Sequence, residues 1–395
     1  MAVIAVIGGT PIAVLALWIA VNRVEWLGPF VADGLRSVIG AENVTSIEDF
    51  GYSVQDKVFR FTRRGQKPKA YWAVPETSAR PQPNPSPDQN GSDASPVLPP
   101  FQPKAAGPVH ESWSAPGDGQ WVGIQDPKRP KEEPRLYKTL LHPDKNRSWA
   151  ELFVVAIDLR RADIHMVAGR YEPQAREEEA KEIERPGTIP ETHRTNVLAA
   201  FNGGFKTEHG RYGMFLGGLT FVKARKGVCT LVKYKDGRMR LASWGKVKDQ
   251  QADMLWWRQT PNCMYEDGKV NSRLESGNTR KWGATLDGET VIRRSAIGLS
   301  PDNDTLYIGI SNHTTAPAIA LGMHHVGAPT VAQLDVNFSY PKFVVFSKNA
   351  KTEERLALPL ADGFEFSDGE FIRDRARRDF FYIMPAKGER RTAQK

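Results

Sequence analysis

The alternation of apolar and polar residues along most of the chain predicts a sheet-rich domain. Short apolar runs recur between turn signals, which is typical of strands packed on a common core. The runs CTLVKY and RMRLASW flank Asp236 and Gly237, and a tight turn at this dipeptide predicts a hairpin. We therefore expect residues 117–386 to form one α+β domain with a large mixed or antiparallel sheet and few helices.

Between residues 293 and 339 the pattern predicts a strand, a second strand, a helix and a third strand. The helix is expected at residues 315–326, entered through Thr314 or Thr315, with Pro317 in its first turn and Gly327 after its end. Its apolar positions fall on one face, which suits packing against a sheet. A second, highly charged helix is expected at residues 176–184.

The N-terminal residues 1–22 contain an uncharged apolar run at positions 2–21. As a helix this run would span roughly 30 Å, which is enough to cross a bilayer. No basic segment precedes it, so an uncleaved membrane anchor is favoured over a cleavable signal peptide. Either alternative places the domain outside the cytoplasm, anchored in the first case and secreted in the second. The first flanking charge, Arg23, favours the opposite orientation, so the topology stays open.

Composition changes divide the rest of the N-terminal region. Residues 23–74 are interpreted as a juxtamembrane segment with helical spacing. Residues 75–116 are rich in proline and serine and poor in large apolar residues, which predicts a disordered linker. Residues 387–395 are expected to form a basic tail.

The overall charge indicates the class of partner. A net charge of +8 and a pI near 9.3 favour anionic ligands such as acidic carbohydrate, phosphate esters or membrane head groups, although a merely soluble basic surface fits as well. The basic residues are scattered without base-stacking aromatics, so no nucleic-acid partner is predicted. The two cysteines, Cys229 and Cys263, would either pair or remain as buried thiols.

Three polar residues adjoin apolar strands and are candidates for chemistry. Asn202 follows the run VLAAF and precedes two glycines, which would let the backbone approach a ligand. Arg294 would offer a guanidinium to a phosphate or carboxylate. Asp335 ends the apolar run TVAQL, and a buried carboxylate there needs a partner. The alternatives are a strand-end turn at Asn202, a surface arginine at 294 and a turn cap at Asp335.

Other polar residues give weaker indications. A second acid beside Asp335 would come from among Glu208, Glu266, Asp267 and Asp287, which the sequence does not rank. His209 lies in the glycine-rich segment and is an acid/base candidate. No zinc site or organic cofactor is predicted, while a divalent cation at Asp335 is left open.

Taken together, the motifs AAFNGGF, RSAIG and LD…S, with a helix leading into the third, resemble the phosphodiester glycosidase family over residues 150–347. This family contains the lysosomal uncovering enzyme, which removes N-acetylglucosamine from a phosphodiester, and many exported bacterial proteins. The resemblance implies a cleft in which Asn202 and Arg294 bind the phosphate or the sugar, while Asp335 positions or activates the attacking group. The remaining residues that match the three motifs are expected to line that cleft, namely Gly203, Gly204, Ser295, Gly298 and Ser339.

The third motif departs from the family pattern, because Val336, Asn337 and Phe338 replace three glycines. Valine disfavours positive φ, and Phe338 would fill space next to the substrate. We therefore expect either an exported, membrane-tethered glycosidase-like hydrolase acting on a phosphodiester-linked or anionic envelope or matrix sugar, or a non-catalytic glycan-binding module with the same cleft. A structural envelope protein is a third alternative.

Overall fold

The computed structural model describes residues 41–74, 100–283, 291–337, 339–348 and 355–386. The apolar run at 2–21, most of the proline-rich linker and the basic tail lie outside the described residues. Among the described residues, no helix combines the length and apolar character needed to cross a membrane.

The described helices and strands are numbered in chain order. The α-helices are α1 (Ala41–Thr62), α2 (Glu178–Lys181), α3 (Glu191–Arg194), α4 (Trp244–Val247), α5 (Ser272–Glu275) and α6 (Ala316–His325). The strands are β1 (Val122–Ile124), β2 (Leu136–Leu141), β3 (Leu152–Asp158), β4 (Ala162–Val167), β5 (Ala199–Asn202), β6 (Met214–Leu216), β7 (Leu219–Val222), β8 (Cys229–Tyr234), β9 (Met239–Ser243), β10 (Met254–Thr260), β11 (Tyr265–Glu266), β12 (Lys269–Val270), β13 (Ile292–Leu299), β14 (Thr305–Thr314), β15 (Thr330–Val336), β16 (Phe343–Lys348), β17 (Arg355–Pro359) and β18 (Phe380–Pro385).

The strands form three antiparallel sheets, so the expected α+β class with few helices is confirmed. The first sheet has eight strands in the order β1-β2-β3-β14-β13-β15-β11-β12. The second sheet has the order β7-β6-β10-β8-β9, and the third has the order β17-β16-β5-β18-β4. The predicted hairpin is β8 and β9, with Gly237 at a φ of 88° in its turn.

The first sheet is buried on both faces, which explains why its central strands are almost wholly apolar. One face packs on α6 through side chains such as Val154, Ala296 and Met323. The other face contributes Phe153 and Ile308 to a core shared with the second and third sheets. The candidate residues on β5, β13 and β15 therefore lie where the sheets meet.

Helix α6 begins and ends where the sequence predicts. The Thr315 hydroxyl accepts a hydrogen bond from Ala318 N at 3.2 Å and caps the first turn, and Gly327 follows the helix with a φ of 104°. The connection that follows α6 approaches β13 so closely that a Cβ at Gly298 would lie 2.5 Å from Ala328 Cβ. Gly298 therefore serves the packing beside α6.

The charged helix expected at residues 176–184 is much shorter, since only Glu178–Lys181 is helical. Ala180 is the buried residue of this turn, while its glutamates are exposed. Without an apolar face to pack, helical propensity alone does not extend the helix.

Two segments outside the predicted domain boundary pack on the domain. Asp56 on α1 accepts two hydrogen bonds from Arg147, each 2.7 Å long, and the ring of Tyr71 lies 4.8 Å from that of Phe153. Within 100–116, Phe101 is 6% exposed and stacks edge-on against Tyr137. Residues 100–116, which the sequence assigns to the linker, are thus attached to the first sheet through their few apolar residues.

Cys229 and Cys263 form a disulfide, which decides between the two alternatives for the cysteines. Cys229 begins β8 in the second sheet, and Cys263 lies between β10 and β11. Because β11 belongs to the first sheet, the disulfide fastens the second sheet where the chain crosses to the first.

Candidate functional site

Asn202 connects the third sheet to the first sheet. It ends β5 and is fully buried. Its Nδ2 donates hydrogen bonds to Ser295 Oγ at 2.8 Å and to Gly203 O at 2.9 Å, and its Oδ1 accepts one from Lys342 N at 3.1 Å. The buried amide is thus fully bonded and is held beside β13.

Ser295 and Asp335 face the same side of the first sheet. They are paired across β13 and β15, and Asp335 N donates to Ser295 Oγ at 3.2 Å. The Ser295 hydroxyl therefore joins Asn202 to Asp335. Three residues from separate motifs meet here because the end of β5 contacts β13, and β13 pairs with β15.

Arg378 completes this group from the segment that precedes β18. Its Nη1 donates to Asp335 Oδ2 at 2.7 Å, and its guanidinium carbon lies 4.0 Å from the ring centre of Tyr340. Its Nε is buried and has no hydrogen-bond partner among the described residues. A buried guanidinium with an unused donor is suited to binding an anion.

Asp379 lies beside Arg378 and holds the backbone of the NGG motif. It accepts hydrogen bonds from Gly204 N at 3.1 Å and from Arg258 Nε and Nη2 at 2.9 and 3.1 Å, while its own carbonyl accepts one from Gly203 N at 2.8 Å. A Cβ at Gly203 would lie 2.2 Å from Asp379 Oδ2. Gly203 is therefore required by the close approach of Asp379, while a Cβ at Gly204 would lie 3.1 Å from Arg258 Cζ.

The protonation of the site follows from its burial. Burial raises the pKa of Asp335 from 3.8 to about 6, although the Arg378 charge acts in the opposite direction. Burial also raises the pKa of Tyr340 well above 10. Burial lowers the pKa of Arg378, but the charges of Asp335, Tyr340 and Asp379 outweigh this, and the net pKa is raised. Arg378 thus stays charged while Asp335 exchanges a proton near neutral pH.

Arg294 does not join this group. It is adjacent to Ser295 on β13, and consecutive residues of a strand point to opposite faces. Its guanidinium donates to Gln333 Oε1 at 2.8 Å, and to the carbonyls of Thr314, Trp282 and Gly283, on the face that carries α6. Burial lowers its pKa to about 9. The structure thus separates Arg294 from Asn202 and Asp335.

The remaining candidates are distributed around the domain. Ser339 donates from N and Oγ to Asn337 Oδ1, which makes a local turn. His209 is exposed and lies 3.4 Å from Glu208. Glu266 accepts hydrogen bonds from Ser243, and Asp267 pairs with Lys246. Asp287 lies outside the described residues, and the second carboxylate beside Asp335 is Asp379.

Val336 and Asn337, at which the third motif departs from the pattern of the resembled family, continue the sheet. Val336 ends β15 and pairs with Arg294, and Asn337 N donates to the carbonyl of Arg293 at 3.2 Å. The expected steric role of Phe338 falls on a residue outside the described set.

Sequence reasoning missed Arg258, Tyr340, Arg378 and Asp379. The available signal was the change from RDRARRD to the apolar strand FFYIMP, because a charged residue next to a buried strand needs a partner. Nothing local showed which of these charges would turn inward. Within the residues described, no three His, Cys, Asp or Glu side chains are grouped to hold a metal ion, so a cation at Asp335 stays a prediction.

Comparisons with known proteins give no family. No family model matches the chain, and no curated protein matches it. Among solved structures it is similar to a hypothetical protein from Synechocystis, with a TM-score of 0.36 and 10% identity over 64% of this chain and 62% of that one. It is also similar to the "Putative exported protein" of Burkholderia pseudomallei K96243, with a TM-score of 0.30 and 12% identity over 60% of this chain and 74% of that one. The chain spans less than two thirds of the Synechocystis protein, and scores this low support no inference about fold or activity.

Proposed function

We propose that the protein is an exported glycosidase-like hydrolase that acts on a phosphodiester-linked or otherwise anionic sugar. The observation that carries this proposal is the contact between Asp335, with its raised pKa, and Arg378, with its unused donor. Such a pair offers an acid/base group next to an anion-binding group. The resemblance of the three motifs supplies the substrate class.

Each residue has a role in this reaction. Arg378 binds the non-bridging phosphate oxygens. Asn202 holds Ser295, and the Ser295 hydroxyl holds the backbone N–H of Asp335. Asp335 gives its proton to the oxygen between sugar and phosphate as the bond from that oxygen to the anomeric carbon breaks. Water then adds to the anomeric carbon and returns a proton to Asp335. One water is consumed, and a free sugar and a phosphate monoester are released. Arg378 and the half-buried Tyr340 form the side from which the substrate approaches, because the other group members are at most 1% exposed.

The location outside the cytoplasm is supported by the Cys229–Cys263 disulfide, since disulfides persist in oxidising compartments. The membrane anchor at residues 2–21 remains part of the proposal.

The test is hydrolysis of a synthetic N-acetylglucosamine-1-phosphate methyl diester by the purified chain, followed by chromatography of the released sugar. We expect Asp335→Asn and Arg378→Gln each to lower kcat/KM by at least about 100-fold, because each removes a group that acts in the transition state. Arg238→Gln is the matched control, since Arg238 is exposed on the β8–β9 turn and pairs with Asp236. Full activity of both site variants would refute the assignment.

A second function is favoured by the closure of the site. Asp335 is 1% exposed and already paired, and Val336 continues the strand where the family has a glycine. These features fit a non-catalytic glycan-binding module. Binding of the same diester without release of sugar, at any pH between 4 and 8, would decide for this alternative.

A further inference from the structure

A cavity with a predominantly basic lining lies close to the candidate site. Its volume is about 740 Å³, and it is formed by the segment before α2, the loop that carries Arg211 and the turn after β7. We call it the basic pocket and define it by Arg176, Glu177, Glu208, Arg211, Lys223 and Arg225. Pockets of this size hold small ligands such as one or two sugar units.

The basic pocket has more cations than its carboxylates neutralise. Four of the six defining residues are basic and two are acidic. Glu208 lies near Lys206 and His209, and the Lys223–Glu177 pair involves a lysine that is 79% exposed and is therefore weak. The guanidiniums of Arg176 and Arg211 make no ion pair among the described residues. These two guanidiniums are therefore available to bind an anionic ligand.

The walls of the basic pocket are held in place by a buried side chain. The Gln259 amide is fully buried, and its Oε1 accepts hydrogen bonds from Arg225 N at 2.7 Å and Gly213 N at 3.2 Å. Its Nε2 donates to Arg225 O at 3.0 Å. Arg211 is held at a φ of 49°, and its N donates to Thr207 O at 2.8 Å. Both loops are thus ordered before a ligand arrives, which lowers the entropic cost of binding.

One arginine links the basic pocket to the candidate site. Arg258 pairs with Asp379 at the site, and its Nη2 and Nη1 donate to the carbonyls of Phe205 and Tyr212 at 2.8 and 3.2 Å. The segment 203–213 therefore starts at the site and ends at the pocket wall.

The positive potential extends beyond the pocket. The pKa of Lys281 is lowered by burial and further by the charges of Arg273 and Arg225. Arg225 and Lys281 therefore act on each other as like charges. An approaching anion would relieve that repulsion.

We propose that the basic pocket binds an acidic sugar unit of an anionic polysaccharide that also reaches the sugar site at Asp335. Guanidiniums match carboxylate and phosphate oxygens through paired hydrogen bonds, and Arg176 and Arg211 are available for this. The link to the sugar site at Asp335 rests on the proposed function, but binding itself is measurable without hydrolysis.

The experiment is calorimetric titration of the full chain with trigalacturonate, with neutral maltotriose and with inorganic phosphate. The test variant is Arg176→Gln/Arg211→Gln, in which position 211 keeps a non-glycine residue at positive φ. The control variant, Lys235→Gln/Arg238→Gln, removes the same charge from the β8–β9 turn. This turn lies at the far end of β8 from the pocket, and the six residues of that strand span roughly 20 Å. Thermal unfolding checks that both variants are folded.

We expect trigalacturonate to bind with an affinity that falls with salt. The test variant should weaken binding by about 10-fold or more, and the control variant by less than about 2-fold. The test variant should still hydrolyse the methyl diester, which carries a single sugar, at the wild-type rate, so loss of hydrolysis and loss of binding are distinguishable. Equal weakening by the control, binding of maltotriose, or phosphate bound as tightly as trigalacturonate would each overturn the proposal.

Discussion

The carboxyl group of Asp335 and the guanidinium of Arg378 are paired at 2.7 Å in a nearly closed part of the protein. Two opposing effects act on the carboxyl there. Burial favours the neutral acid, and the guanidinium favours the carboxylate. Burial is the larger effect, so the group is still partly protonated in the range where acid/base catalysis is useful.

This balance predicts a pH-dependent stability that Asp335→Asn removes. The folded pKa is about 6 and the unfolded one is about 3.8, so the stabilising contribution of the proton is complete below pH 4 and is lost as the pH rises through 6. The shift corresponds to at most about 3 kcal/mol. Urea unfolding at several pH values should show the wild type losing stability relative to Asp335→Asn between pH 4 and 7. Asp249→Asn, at an exposed carboxyl, is the control substitution.

We expect a different outcome for substitution of Arg294, because its guanidinium donates hydrogen bonds to protein groups on the α6 face. Arg294→Gln leaves several of the buried carbonyls of Trp282, Gly283 and Thr314 without a donor, and we expect a loss of roughly 2–4 kcal/mol of stability. The kcat/KM of the folded fraction should stay within about 3-fold. A 100-fold loss of kcat/KM with unchanged stability would restore Arg294 to the site.

The contrast between Arg294 and Ser295 shows what the sequence can predict about single residues. Asn202 and Asp335 were recognisable because each directly follows a run of apolar residues. The side of the sheet to which a side chain points, however, depends on the register of its strand. A shift of one residue moves every side chain of the strand to the other side. The pairing of β13 with β14 is shifted between Ile292 and Arg294, a local irregularity that the apolar pattern does not reveal.

At the scale of elements, the end of β5 and the start of β18 are packed so closely that only glycine fits between them. Gly203 meets both the carboxylate and the carbonyl of Asp379. The alternation and turn signals predicted β8, β9, β13, β14, β15 and α6. The contact between β5 and β18 was not predictable, because these strands are far apart in the chain and pair only through tertiary packing.

Gly203→Ala tests this contact. The added Cβ would lie 2.2 Å from Asp379 Oδ2, so the two strands must separate and Arg258 must lose part of its pairing. We expect destabilisation of about 3 kcal/mol or more, as for overpacked cores. Gly245→Ala in α4 is the control, since nothing lies within 4 Å and alanine should stabilise a helix by about 0.5–1 kcal/mol. Similar denaturation midpoints for the two variants would contradict the close packing.

At the scale of the whole molecule, the Cys229–Cys263 disulfide closes a loop with a sequence separation of 34 residues, which includes β8, β9 and β10. Its loss gives the unfolded chain more freedom. Cys229→Ser/Cys263→Ser should therefore lower the free energy of unfolding by about 3–4 kcal/mol, and reduction of the wild type should have the same effect. Chemical denaturation with and without reductant measures both. Unchanged stability would show that the two sheets are held by packing alone.

The attachment of α1 to the domain has a mechanical consequence. Tension applied at Ala41 would pass through the Asp56–Arg147 contact into the loop between β2 and β3. If that contact were pulled apart, the ring contact between Tyr71 and Phe153 would carry the load next. A pull on α1 would therefore be resisted twice, first by an ion pair and then by aromatic packing on the first sheet.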